Sequence, residues 1–103
     1  MSEPVRQIYI AGPMSGLPEF NRPTFMQVAK LLRERGHFVM NPAENPAPAS
    51  GSWDDWMRLA IGQLIQCEAV AVLPNWEASN GASLEVTIAH RLRMPVLPWQ
   101  RWL

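Results

Sequence analysis

A carboxylate near the start of a helix, preceded by small polar residues and a glycine, can attack an electrophilic carbon in a pocket that also holds an anion. Ser79-Asn80-Gly81-Ala82-Ser83-Leu84-Glu85 has that make-up. Ser79 and Asn80 are good N-cap residues, Gly81 lets a ligand approach, and the first N–H groups of a helix starting here would face a phosphate. Glu85 falls in or just after the first turn, where the macrodipole favours the ionised carboxylate by ~0.3–1 kcal/mol. Nucleophilic attack requires that ionised form. Taken alone, the same glutamate is an ordinary stabilising surface residue.

A second loop lies about seventy residues earlier, in Ile8-Tyr9-Ile10-Ala11-Gly12-Pro13-Met14-Ser15-Gly16. It lacks the three spaced glycines of a dinucleotide fingerprint and the Lys-Ser/Thr ending of a phosphate loop. Gly12 permits close backbone approach, and Ser15 and Gly16 have free N–H groups, a nest for an anionic oxygen from which Pro13 removes one donor. A plain strand-to-loop turn fits the same residues. Tyr9 either serves the site or is buried by strand alternation with its hydroxyl bonded elsewhere.

The elements that would position these loops alternate. Gln7 to Ala11 is a β-rich run, followed by about ten residues too polar and proline-broken for regular structure. Pro23 suits the first position of a helix that carries Phe25, Val28, Ala29, Leu31 and Leu32 and stops at Gly36. His37 to Met40 reads as a second strand and Asn41 to Gly51 as a long, proline-rich loop, more often functional than idle in so small a domain. Trp53, Trp56, Met57, Ala60, Ile61, Leu64 and Ile65 form an apolar helical stripe, opened by a Ser52/Asp55 capping pattern. Ala69 to Leu73 is a continuous apolar strand, Asn80 to Leu92 a third helix and Pro95 to Leu97 a last strand. This order predicts an α/β, flavodoxin-like or Rossmann-like three-layer fold with a parallel sheet of four to five strands. In it both loops open at the carboxyl ends of strands, where such sheets bind ligands.

Composition narrows the partners. The 103 residues suit one domain, spanning 1–103, and 48% of them are apolar, which can supply one core. Nine basic and nine acidic residues balance, and the basic ones are scattered, so no stripe argues for polymeric nucleic acid, while a free nucleotide fits. One cysteine, Cys67, excludes an intramolecular disulfide and reads as a small buried apolar residue, with nothing near to activate it as a thiolate. No apolar stretch approaches ~20 residues and no leader pattern opens the chain, so the expectation is a cytoplasmic protein without a membrane partner. His37 and His90 lack metal-ligand spacing; no metal and no redox cofactor is implied.

Tyr9 to Gly16, Asn41-Pro42-Ala43-Glu44 after the second strand, and Ser79-x-Gly81-x-x-x-Glu85 together resemble the nucleoside 2-deoxyribosyltransferase-like superfamily, in a small branch common in phages and bacteria. The resemblance covers essentially the whole chain. It implies a flavodoxin-like fold and cleavage or transfer at the N-glycosidic bond of a 2′-deoxynucleoside or its 5′-monophosphate. By the same resemblance Glu85 is the nucleophile, Tyr9 lines the sugar and nucleophile site, and Ser15, Gly16, Ser79 and Gly81 cradle the 5′-hydroxyl or 5′-phosphate. The resemblance also implies homo-oligomers whose neighbours complete each other's pockets. Catalytic members carry an aspartate eight residues ahead of the acidic residue that opens the central strand; Glu68 matches the latter and Ala60 occupies the former position. The chain is then a slow enzyme, one that uses a different acid, or a nucleotide-binding or sensing module that has lost its chemistry. An interaction protein using the sheet only as scaffold is a further alternative.

For the second carboxylate, Glu44 is the better candidate because it follows the second strand at the ligand edge. Glu68 starts its strand at the opposite edge, and Asp54 and Asp55 stand near a helix start where Asp55 suits a cap. Trp53 and Trp56 read as core residues on their stripe, with base stacking as the other reading. Trp76, in the loop before Ser79, reads as a base-stacking or lid residue or as neither, and Trp99 and Trp102 as residues that dock onto the core or a partner subunit.

Overall fold

The computed structural model describes residues 6–103. Strands β1 (Gln7–Ala11), β2 (Phe38–Met40), β3 (Ala69–Val72) and β4 (Val96–Pro98) form one sheet, and helices α1 (Arg22–Glu34), α2 (Trp53–Leu64) and α3 (Asn80–Arg91) connect them. Every pairing is parallel and the strand order is β2-β1-β3-β4. That is the flavodoxin-like order without its fifth strand. Ile8 lies opposite Val39 on one side and Ala69 on the other.

The period of two along each strand divides the core into two layers. Ile8, Ile10, Ala69 and Ala71 point to one face and pack on Phe25, Val28, Ala29 and Leu32 of α1. Tyr9, Ala11, Val70 and Val72 point to the other and pack on Ala60 and Leu64 of α2 and Val86 and Ala89 of α3. The α/β three-layer architecture expected from the sequence is therefore present. From β1 the chain steps to β2 on one side, then returns past β1 to β3. The loops after β1 and β3 leave neighbouring strands at this reversal, the position at which open α/β sheets leave a crevice.

Several boundaries differ from the sequence reading. Helix α1 begins at Arg22, one residue ahead of Pro23. The loop before it holds a turn over Pro18–Asn21 in which Glu19, Phe20 and Asn21 are all left-handed (φ 52, 54 and 60). The Asn41 to Gly51 loop opens with a 3-10 turn, Pro42–Glu44, in which the Asn41 side chain accepts from the Ala43 N–H. On α2 the apolar stripe buries Met57, Ala60 and Leu64, whereas Trp53 at its start is 50% exposed and Ile65 after its end 57%.

A 3-10 turn, Trp99–Trp102, closes the described chain. Trp99 and Trp102 pack on the α1-side core, the Trp102 indole N–H donates to the Val70 carbonyl at 2.9 Å, and the Arg6 guanidinium lies over its ring. Buried His37 links the first described residue to the last turn: Nδ1 accepts from the Arg6 N–H, which leaves Nε2–H to donate to the Trp102 carbonyl. Among the described residues no helix is long and apolar enough to cross a membrane.

Candidate functional site

A cleft of about 360 Å³ opens at the reversal point, a size that suits a small-molecule ligand. Its floor is set by alternation in β1 and by the face of α3. Tyr9 points from β1 toward the α2/α3 layer and is fully buried. Ala82, Glu85, Val86 and Ala89 form the buried face of α3, so Glu85 holds a core position on that helix and is only 6% exposed. The Tyr9 hydroxyl donates a hydrogen bond to a Glu85 carboxylate oxygen.

Burial dominates the electrostatics of this pair. Loss of solvation pushes the Glu85 carboxyl up to about 7, against a smaller lowering by the Tyr9 hydrogen bond. Burial first, and the neighbouring Glu85 charge second, push the Tyr9 phenol well above its ordinary value, which keeps it a protonated donor. Glu85 is thus poised between its acid and carboxylate forms near neutral pH.

The structure brings Tyr9, Gly12, Ser15, Ser79, Gly81 and Glu85 together on this one cleft. Ser79 caps α3, its Oγ accepting from the Ala82 N–H at 3.2 Å, which leaves its own hydroxyl proton to donate elsewhere. Packing within the chain also leaves little room at the two glycines, least of all at Gly12. A Cβ on Gly12 would meet the Leu73 side chain at 2.7 Å, and one on Gly81 would meet the Met57 sulfur at 3.2 Å. The close approach is that of the chain to itself.

Four other sequence candidates do not line the cleft. Glu44 faces α1, where Arg33 donates to both carboxylate oxygens at 2.7 and 3.1 Å and Asn41 donates at 3.2 Å. Its bond to Arg33 holds it below the usual carboxylate range, so it is ionised and engaged rather than ready to give a proton. Its place on the 3-10 turn explains the miss: the turn presents Pro42 and Ala43 inward and rotates the third residue outward. Trp76 is half-buried against the α2/α3 layer, a packing role the sequence did not suggest. Gly16 supplies a left-handed turn at φ 80, and Asn80 is exposed on the first turn of α3.

The alternatives for a second carboxylate also fall elsewhere. The Asp55 carboxylate accepts from the Ser50 hydroxyl while its N–H is capped by Ser52. Glu68 accepts from the Gln7 N–H at 3.1 Å, at the opposite end of β1 from the cleft. Ala60 does line the cleft, where it presents only a methyl group. Among the described residues Glu85 is the one carboxylate on the wall. Among the described residues no group of His, Cys, Asp and Glu is arranged to hold a metal ion.

Sequence reasoning missed part of the cleft's outer wall, although base stacking by Trp53 and Trp56 is the other reading of those two residues. Arg22, Phe20 and Asn45 line it, and Trp53 and Trp56 face it rather than the core. Asn45 is fixed by a reciprocal amide pair with Gln63 of α2, each side chain donating to the other at 2.7 Å. The stripe that carries Trp53 and Trp56 is visible in the sequence, but which of its members the core covers is not. Nothing in the sequence singled out Arg22.

Residues 6–98 match the family described as "Domain of unknown function (DUF4406)", and the chain belongs to that family. No curated protein matches it.

Proposed function

We propose that this member of the DUF4406 family cleaves or transfers the base at the N-glycosidic bond of a 2′-deoxynucleoside or its 5′-monophosphate, with Glu85 as nucleophile. The observation that carries the reading is a single buried carboxylate at the floor of the cleft, held by the Tyr9 hydroxyl. A carboxylate stripped of water is reactive toward a carbon acquiring positive charge, and the developing oxocarbenium ion in turn favours the ionised form of Glu85. Tyr9 fixes the oxygen it bonds and leaves the other free to attack. Trp53, Trp56 and Phe20 offer aromatic faces on which a base can stack.

In the step proposed, a Glu85 oxygen bonds to C1′ as the C1′–N bond breaks, and the departing base takes up a proton. Water then attacks C1′, the ester bond to Glu85 breaks and the carboxylate is regenerated; an acceptor base in place of water gives transfer. Among the described residues the cleft wall carries no second carboxylic acid to protonate the base, so in this reading solvent supplies that proton and the reaction is slow, general acid catalysis being worth ~10²–10⁴-fold where it operates.

The same absence favours a second reading, a binding or sensing module that holds a nucleotide without turnover, with Ala60 on the wall where catalysis would want an acid. Chromatography of free base after long incubation with each 2′-deoxynucleoside and each 5′-monophosphate separates the two. Base release abolished by Glu85→Ala supports the glycosidase reading; tight binding without release leaves the module.

A further inference from the structure

We propose that the Arg33 side chain guards the free edge of the sheet, and that without it a second copy of this chain would pair with β2. The strand is outermost on its side, so among the described residues no other strand covers its outer edge. Such an edge is a template for strand addition by another chain. Phe38-Val39-Met40 suits that pairing, being apolar with neither charge nor proline, and Phe38 is 68% exposed. A groove of about 510 Å³ runs beside the strand, lined in part by Phe38, Met40, Cys67 and Arg33, with room for an apolar side chain of an incoming strand.

Alternation along a parallel pair gives each backbone group of β2 a direction. Phe38 and Met40 face β1, the Phe38 N–H donating to the Arg6 carbonyl at 3.0 Å, so His37, Val39 and Asn41 face outward. Three of the groups they present are engaged from within the chain. The His37 N–H donates to the Leu32 carbonyl near the end of α1, and the Asn41 carbonyl accepts from the Glu44 N–H. The Val39 carbonyl, at the centre of the strand, accepts from Arg33 Nη2 at 2.9 Å.

Arg33 is held in that position by its other bonds. Nη1 donates to one Glu44 oxygen at 2.7 Å and Nη2 to the other at 3.1 Å, while the Asn41 side chain donates to the same carboxylate at 3.2 Å. One guanidinium thus ties the last turn of α1 to the middle of β2 and to the 3-10 turn that follows it. Its planar fork allows this, since it donates in several fixed directions at once, which a lysine ammonium on a flexible stem does not reproduce. A strand arriving at the edge finds the central acceptor occupied and must displace a charged group to reach it. A second β2 meets a like charge as well, because it carries an Arg33 of its own.

Sedimentation of the full chain over a range of concentrations, in wild type, Arg33→Ala and the double variant Arg33→Ala/Val39→Pro, tests the guard. Arg33→Ala is expected to form species larger than wild type, in a fraction that grows with concentration. Proline is tolerated on an edge strand and removes the outward N–H that pairing needs, so the double variant should return to the wild-type mass. Hydrogen exchange gives a second reading that needs only the single variant and decides the matter if the double variant does not fold. In associated Arg33→Ala the Val39 N–H should exchange at least about tenfold more slowly than in wild type, because it then donates across the new edge. Arg33→Ala with the wild-type mass at every concentration overturns the proposal. Association that survives Val39→Pro, or that leaves Val39 exchange unslowed, overturns it too, since the contact then lies on another face or in an unfolded chain. None of these outcomes depends on what the cleft binds.

Discussion

Tyr9 and Glu85 are joined by a buried hydrogen bond across 76 positions of chain, the phenol donating to the carboxylate. The bond joins two elements that line the cleft, β1 and α3. It also offsets part of the rise that burial imposes on Glu85, the proposed nucleophile, because it favours the ionised form that burial opposes. With the Glu85 carboxyl at about 7, the kcat/KM for base release is expected to rise with pH through about 7 and then level off. Tyr9→Phe deletes a hydrogen bond to a charged group, worth ~1.5–3 kcal/mol, so the rising limb should move roughly one to two pH units higher. A pH–rate profile unchanged in Tyr9→Phe would show that the phenol does not tune Glu85.

Stability should carry the same signature with the opposite sign. The folded-state acidity of Glu85 lies above the value of 4.5 expected for the unfolded chain. Between about 4.5 and 7 the folded state therefore binds more protons than the unfolded state, and stability falls as pH rises through that window. Glu44, lowered by Arg33, acts in the other direction and only below 4.5, where its contribution is lost on acidification. Denaturant titrations should find Glu85→Gln more stable than wild type above pH 7, by on the order of 1–3 kcal/mol, with the difference shrinking toward pH 4.5. A pH-independent difference would contradict a buried, titrating carboxylate.

These two residues also mark how far the sequence could be read. Strand alternation and helix periodicity placed β1, α2, β3 and α3 to within a residue or two, since burial on a parallel sheet leaves a strong pattern. Glu85 was legible as a carboxylate just after a Ser-Asn-Gly helix start, but its core position on the buried face of α3 was not. Glu44 was misread because a three-residue 3-10 turn has no pattern in sequence that tells which side chain faces inward. Arg22 on the cleft wall and the exposure of Trp53 depend on how the turn before α1 folds and on which residues the core covers, both products of long-range packing. Gly12 and Gly81 line the cleft, but the neighbours that crowd them, Leu73 and Met57, lie far along the chain and could not be read from their own loops.

The two glycines give different expectations from the space each lacks. Gly12→Ala would place a methyl group 2.7 Å from Leu73, a fully packed side chain, so the core must shift; overpacking of this kind costs ~1–3 kcal/mol. Gly81→Ala meets only the Met57 sulfur at 3.2 Å, which a flexible side chain can relieve, and alanine is the better helix former. Thermal melts should therefore show a clear loss for Gly12→Ala and little change for Gly81→Ala. Equal losses would mean that both positions are equally constrained.

Ala60 offers the most direct test of the missing acid. Its methyl group lies on the cleft wall and is 8% exposed, on the face of α2 that looks across to Tyr9 and Val86. An aspartate there would be largely desolvated and close to the like charge of Glu85, and both effects raise its pKa and keep it protonated near neutral pH. A protonated carboxylic acid beside the leaving base is what general acid catalysis requires. Ala60→Asp is expected to lower stability, by ~1–3 kcal/mol for a buried polar group, yet to accelerate base release by at least about tenfold. The Ala60→Asn variant adds similar bulk and polarity without an ionisable proton, so it should share the stability loss and none of the rate gain. Acceleration in Asp alone identifies Ala60 as the position of a replaced acid. If neither variant gains rate over wild type, protonation of the base does not limit the reaction from this side of the cleft.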